Sequence, residues 1–243
     1  MFARLRAKRP GTSLGNLLVY EGMRRLLAMI VRVLYRPVVQ ELARVPLTGP
    51  VLLAANHQSF LDPPVVGFAV TRRHLDYVAR AGLFTSPVFG GLIRALNSIP
   101  ISEEGADAAA IREILRRLEA GRAVLIFPEG SRTTDGAMHD FKRGVAVLVR
   151  RSSCPVMPVA IEGVFDAWPR SARWPRVFGC RVAVRYGVPI SHDELLRDGP
   201  DAALDRLRCE IDAMRLELRA ELRRRTSGRF PPPGPGDHPA SGG

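Results

Sequence analysis

Cysteine is scarce in this chain of 243 residues, and the three present, Cys154, Cys180 and Cys209, are odd in number and far apart. Such a set implies neither a disulfide framework nor a zinc site, and the thiols read as packing residues. Long apolar runs are missing too. No stretch supplies the roughly 18–20 apolar residues that a membrane-spanning helix needs, and Arg24, Arg25 and Arg32 break up the best candidate. A signal peptide is not expected, because no small-residue cleavage site follows the basic start. Acid is nearly absent from the amino end. Residues 1–36 hold eight Lys or Arg against Glu21 alone, so they carry +7 of the total +12 and leave +5 to the rest. No internal repeat is visible, and a hydrophobic content of 46% is ordinary for a globular protein.

A basic amino-terminal segment suits either nucleic acid or anionic lipid, and the residues between the charges decide. With residues 17–36 spaced around a helix, Glu21, Arg24, Arg25, Arg32 and Arg36 share one sector of about 120°, together with Ala28 and Tyr35. Tyr20, Met23, Leu26, Leu27, Met29, Ile30, Val31, Val33 and Leu34 fill most of the remainder, with Leu17 and Leu18 at the margins. So wide an apolar face with an arginine-lined edge predicts a helix lying in a membrane interface, on the cytoplasmic face of the inner membrane. The alternative is a helix packed on the protein's own core. A nucleic-acid arm needs no such face, so no nucleic-acid partner is expected. Gly11-Thr12-Ser13-Leu14-Gly15 matches the nucleophile-elbow pattern of serine hydrolases, but basic residues rather than a strand precede it. Ser13 is expected to cap the following helix instead.

The chemistry of the chain centres on Asn56-His57-Gln58-Ser59-Phe60-Leu61-Asp62, which follows the apolar run Val51–Ala55. An imidazole can take a proton from a hydroxyl near neutral pH and return it, and a carboxylate can orient the ring and balance its charge. His57 and Asp62 are too far apart to be neighbours on a strand and are not on one face of a helix. They meet only if the chain turns back. Asp62-Pro63-Pro64 suits such a turn into a helix, and the same residues also fit a simple helix start. Downstream, a buried-strand run from Ala123 to Phe127 opens into Pro128-Glu129-Gly130-Ser131-Arg132-Thr133. Functional residues of open α/β sheets gather where strands end. There Gly permits close approach, and Arg presents a planar fork to phosphate oxygens.

Together these segments resemble the glycerolipid acyltransferase family, over roughly residues 45–165. Asn56-His57 through Asp62 matches its first motif, Phe127 through Arg132 its third, and the apolar, proline-containing Pro155–Ile161 its fourth. The second motif is poorer. Asn97-Ser98-Ile99-Pro100-Ile101 is followed by Ser102-Glu103, so a glutamate stands where the family's arginine is expected, whereas Arg80 falls where the family often has a basic residue facing phosphate. The resemblance implies a transferase in which His57 and Asp62 are catalytic. Glu129, Gly130, Arg132 and Arg80 would bind the acceptor. The donor would be acyl-CoA or acyl carrier protein, with no metal or bound cofactor. It implies a lysophospholipid acceptor, most simply 1-acylglycerol-3-phosphate. Glu103 motivates an alternative, a non-phosphate lysolipid such as lyso-ornithine lipid. A non-catalytic basic module that binds membranes or nucleic acid is a third reading.

Between the motifs, helices are expected over 64–70, 106–120, 141–151 and 201–225, and strands over 74–79 and 181–186. Apolar residues 83–96, with Gly90-Gly91 in their middle, read as a kinked buried helix or, by the resemblance, part of an acyl groove. His139-Asp140 read as solvated loop residues, and Lys142 or Arg143 as a source of positive field near the site. The segment 168–176 mixes two tryptophans, two prolines and three arginines, which suits a membrane interface or a loop over the core. This alternation predicts an α/β fold, a mixed and mostly parallel sheet flanked by helices. The expected organisation is a basic amphipathic segment at 1–45, an acyltransferase domain at 46–226 and a disordered tail at 227–243, rich in proline and glycine.

Overall fold

Apolar runs with no polar alternation become the middle of a sheet covered on both faces. The computed structural model describes residues 6, 8, 9, 11–102 and 108–240. Helix α1 (Leu14–Tyr35) leads to β1 (Val38–Gln40), then β2 (Val51–Ala55), α2 (Asp62–Gly67), β3 (Leu75–Arg80), α3 (Pro87–Ala95) and β4 (Ser98–Ile101). There follow α4 (Ala108–Glu119), β5 (Ala123–Ile126), α5 (Gly144–Ser152), β6 (Val156–Glu162), α6 (Val164–Ala167), β7 (Ala183–Tyr186), α7 (His192–Leu195) and α8 (Pro200–Arg225). Among the described residues the strands form one seven-stranded sheet in the order β1-β7-β6-β2-β5-β3-β4. Every pairing is parallel except β6 with β7. The expected fold class is therefore the observed one.

Strand β2 lies between β5 and β6 and is buried along its whole length. Leu52 and Ala54 face one layer with Val124, Ile126, Val156 and the apolar stripe of α8. Leu53 and Ala55 face the other, with α1, α2 and Tyr186. Three parallel strands thus end side by side, and their carboxyl ends carry the segments that matter for function.

Helix α1 covers most of the segment expected to be helical and is begun by Ser13, whose hydroxyl accepts from Asn16 N at 3.3 Å. It docks by part of its polar sector. Glu21 and Arg24 are buried, with Arg24 donating to Glu21 at 2.8 Å and the His74 ring 3.2 Å from the same carboxylate. Tyr20 stacks on His74 and bonds the Leu75 backbone, closing the joint. Burial opposes ionisation of Glu21, but His74, Lys8 and Arg24 prevail and hold its carboxyl well below the usual range. Leu18, Val19, Leu26, Met29, Ile30 and Val33 are left exposed. Among the described residues no helix is long and apolar enough to cross a membrane.

The tail departs from expectation. A Pro/Gly-rich composition predicts disorder, yet residues 227–240 fold back along α8. Phe230 is buried. Arg223 donates to Pro231 O at 2.9 Å, Arg219 to Pro232 O at 2.7 Å, and Arg215 to Gly236 O at 2.6 Å. Proline lacks an N–H but keeps a carbonyl acceptor, and its fixed φ leaves less entropy to lose on ordering. Asp237 pairs with Arg219 and Arg223, each at 2.7 Å. Beneath them Glu162, fully buried at the end of β6, takes Arg219 at 2.8 Å and Arg215 at 3.4 Å. Asp237 of the expected disordered segment is thus paired, and Arg208, Arg215 and Arg219 of α8 are buried, whereas Arg206, Arg224 and Arg225 are exposed. Removing one partner from a buried ionic cluster leaves uncompensated charge. Glu162→Ala is accordingly expected to lower the unfolding free energy by about 3–5 kcal/mol, read by urea denaturation. A loss within ~0.5 kcal/mol, the range of ordinary surface substitutions, would show that the cluster is idle.

Candidate active site

The turn that unites His57 with Asp62 is built by one carboxylate oxygen. Asp62 opens α2 with Pro63 behind it, and its side chain points back over the turn. Its Oδ2 accepts from Gln58 N at 2.6 Å, from Ser59 N at 2.7 Å and from the His57 ring Nδ1, also at 2.6 Å. Two backbone donors therefore fold the five-residue loop, and the third fixes the ring. Donation from Nδ1 places the neutral ring's proton there and leaves Nε2 as the acceptor. The ring packs flat on Phe127 at a centroid distance of 4.1 Å. Complete burial pushes the Asp62 carboxyl above its ordinary value, and the three donors oppose that push.

The rest of the loop is pinned from both sides. The Asn56 amide gives and takes one bond each with Ile161 backbone, at 2.9 and 2.8 Å, and so extends the β2–β6 pairing past the end of β2. Gln58 donates to Gly136 O and to Glu162, both at 3.2 Å. His57 itself is held by its backbone. Its N–H donates to Glu129 Oε1 at 2.7 Å, and its carbonyl accepts from Thr133 N at 2.8 Å. The second oxygen of Glu129 accepts from His139 N at 3.0 Å. Glu129 is thus a buried brace between loops, reached through the sheet order that sets β5 beside β2. Gly130 has φ +69°, and a Cβ there would lie 2.9 Å from Lys142 Cγ. Lys142 N donates to Pro128 O at 2.9 Å, so the start of α5 lies against this corner.

Arg132 lies over the Phe60 ring, its guanidinium carbon 3.5 Å from the centroid. Its Nη1 is buried and has no hydrogen-bond partner. Burial, then Arg170 and Arg80, lower the Arg132 pKa, so three arginines share a field beside the histidine. Arg80 is exposed at the end of β3, separated from β2 by β5. Arg170, exposed after α6, had no distinct role in the sequence, where it was one of three arginines in a loop. Glu103 lies outside the described residues. Gly90 lets α3 approach Phe84, whose carbonyl oxygen would be 2.5 Å from an added Cβ, whereas Gly91 faces open space. His139 bonds Thr133 and Asp135 rather than Asp140. Two surface depressions, of about 410 and 370 Å³, flank α1 and are lined by Arg24, Arg25, Arg32 and Arg36 rather than by His57.

The Acyltransferase family model matches residues 36–162, more than half of the chain. The chain belongs to that acyltransferase family. It is 27% identical over 167 residues to the 1-acyl-sn-glycerol-3-phosphate acyltransferase of Streptococcus pneumoniae, covering 67% of this chain and 60% of that protein. It is 25% identical over 118 residues to the enzyme of the same name from Bacillus subtilis, covering 49% and 58%. The chain thus spans about three-fifths of the length of these curated relatives. The crystal structure of the 1-acyl-sn-glycerophosphate acyltransferase PlsC from Thermotoga maritima shares its fold, with a TM-score of 0.73 over 90% of this chain and 88% of that one at 22% identity.

Burial pushes the Glu129 carboxyl from its ordinary 4.5 up to about 8, against the two N–H donors from His57 and His139. Between those values the folded protein keeps a proton that the unfolded chain has released. The associated stability is therefore complete below about pH 4.5 and is lost as pH rises through about 8. Urea unfolding from about pH 5 to about pH 9 should show wild-type stability falling relative to Glu129→Gln. A difference constant across that range would place the Glu129 pKa near its ordinary value.

Proposed function

We propose that the protein transfers a fatty acyl group from the thioester of acyl-CoA or acyl carrier protein to the free hydroxyl of a lysophospholipid, 1-acylglycerol-3-phosphate, giving phosphatidic acid. The single observation that carries this reading is the His57–Asp62 pair, with Nδ1 tied at 2.6 Å and Nε2 left free. Nε2 takes the hydroxyl proton as the acceptor oxygen forms its bond to the thioester carbonyl carbon. Asp62 balances the imidazolium that results. Collapse of the tetrahedral species breaks the carbon–sulfur bond, and the proton on Nε2 goes to the departing thiolate. A thioester is already activated, so these steps require no metal or bound cofactor. The buried, unpartnered Nη1 of Arg132, with Arg80 and Arg170 nearby, supports an anionic headgroup such as a phosphate monoester. Glu129 and Gly130 shape the acceptor site by holding the two loops together. The names of the relatives point to the same acceptor.

The reading also seats the protein on the cytoplasmic face of the inner membrane as a peripheral protein. Its support is the outward apolar face of α1, where Met29 is 56% and Val33 70% exposed, beside depressions lined by four arginines.

Release of free thiol from acyl-CoA in the presence of lysophosphatidate tests the chemistry. His57→Ala is expected to lower the rate by about 10²- to 10⁴-fold, and turnover at the wild-type rate would remove His57 from the mechanism. Met29→Glu with Val33→Glu is expected to weaken co-sedimentation with phosphatidylglycerol-containing vesicles while thiol release from soluble short-chain substrates persists. Unchanged sedimentation would refute the lipid contact of α1.

A further inference from the structure

Acyl transfer leaves unexplained the loop from 168 to 179 between α6 and β7. Its tip holds large side chains in water: Trp174 is 72% and Phe178 79% exposed, with Val177 beside them. Arg170, Arg173 and Arg176 are interleaved and exposed. From residue 167 through residue 192 the chain contains five arginines and no Asp or Glu. The exposure is enforced rather than incidental, because the loop is closed on itself. Arg176 N donates to Ala167 O at 2.8 Å, Ala172 N to Pro169 O at 3.0 Å, and the Trp168 indole to Ala172 O at 3.1 Å. Residues 167–176 are thus tied at their neck and carry Trp174 as a unit, and Val177 and Phe178 follow directly on the neck.

Its base is joined to the histidine loop. Ser59 Oγ donates to Trp168 O at 2.8 Å, and the Trp168 ring meets Phe60 at 5.4 Å. Its far end is joined to α1, where Val182 N donates to Tyr35 O at 3.4 Å. Val38, just after α1, pairs with Ala183 at the start of β7, and Ala183 pairs with Glu162 at the end of β6. The end of α1, the loop and the site therefore share the end of the sheet where β2, β5 and β6 finish.

We propose that this loop is a second lipid contact, which inserts Trp174 and Phe178 into the interface of an anionic bilayer while Arg173 and Arg176 meet lipid phosphates. Trp and Arg are the residues that suit the level of the headgroups, one end apolar and the other wet. Arg173 already lies over the Trp174 ring at 5.6 Å, which keeps its charge at the same depth as the indole. Charge complementarity alone would fit an acidic protein equally well. The two large aromatic side chains held in water at one place, in a segment joined to the end of α1 by the Val182–Tyr35 backbone bond, favour lipid. Insertion there presses the mouth of the His57 site against the surface from which a lipid acceptor arrives. The contact is read without turnover, so failure of acyl transfer and failure of this contact are separate results.

The chain has two tryptophans, so Trp168→Phe leaves Trp174 as the only indole reporter. With vesicles of phosphatidylcholine and phosphatidylglycerol, Trp174 emission is expected to shift to the blue and to be quenched by lipid brominated on its acyl chains. Trp174→Ala with Phe178→Ala, in the otherwise wild-type chain, is expected to lower vesicle partitioning about tenfold or more, the equivalent of losing one large buried side chain. Arg173→Glu with Arg176→Glu is expected to abolish the preference over vesicles of phosphatidylcholine alone. Unchanged emission on vesicles with which the protein sediments would overturn the proposal. So would a shift produced by acyl carrier protein and not by vesicles, or wild-type partitioning of the Trp174/Phe178 variant with its circular dichroism intact.

Discussion

The site depends on one buried oxygen. Asp62 Oδ2 collects two backbone donors and one ring donor within 2.7 Å, and no other group in the loop can do that work. A carboxylate removed from water loses a large solvation energy, and charge-assisted hydrogen bonds recover it only when several converge. Here the convergence is also what folds the chain. The group that makes the turn is the group that sets the tautomer, so the loop cannot form correctly and leave the histidine wrongly oriented. Asp-Pro-Pro at the start of α2 serves this arrangement, because proline at the first turn needs no N–H partner and leaves the Asp62 side chain free to reach back.

Around that oxygen the structure spends buried polar groups to hold loops that have no regular structure of their own. Asn56 prolongs a strand pairing, Glu129 staples the histidine backbone to the loop after β5, and Gln58 reaches Glu162. Glu162 in turn is neutralised by Arg215 and Arg219, which also hold the carboxyl-terminal tail. A continuous set of hydrogen bonds therefore runs from the histidine loop through the end of β6 to residues far outside the family match. Glu162 is paired with both arginines, and that pairing is what makes these buried charges tolerable.

Much of this was legible in the sequence. Unbroken apolar runs marked the central strands, helical periodicity marked residues 201–225 of α8, and His57 to Asp62 beside Glu129-Gly130 marked the place where loops converge. What escaped has physical reasons. Composition reads proline and glycine as disorder, but it cannot count the arginine forks that wait for proline carbonyls 231 and 232. A helical wheel separates polar from apolar sectors, but it does not say which one faces the protein. In α1 the salt-bridged Glu21 and Arg24 turn inward with Leu17, Tyr20 and Val31 because His74 and Phe68 O supply partners there, and the rest of the apolar side, Leu26, Met29, Ile30 and Val33 included, is left outside. Arg170 was one arginine among three until the fold brought its charge within reach of Arg132, whose pKa it lowers. The bracing role of Glu129 needed the sheet order, which brings residue 129 next to residue 57 through the β2–β5 pairing.

The most direct test of the His57–Asp62 arrangement is nitrogen-15 NMR of the His57 ring in its neutral form, assigned by comparison with His57→Gln. The proton should reside on Nδ1, bonded to Asp62, with Nε2 bare. A neutral ring protonated on Nε2 would have no base to offer a hydroxyl, and the account would be wrong.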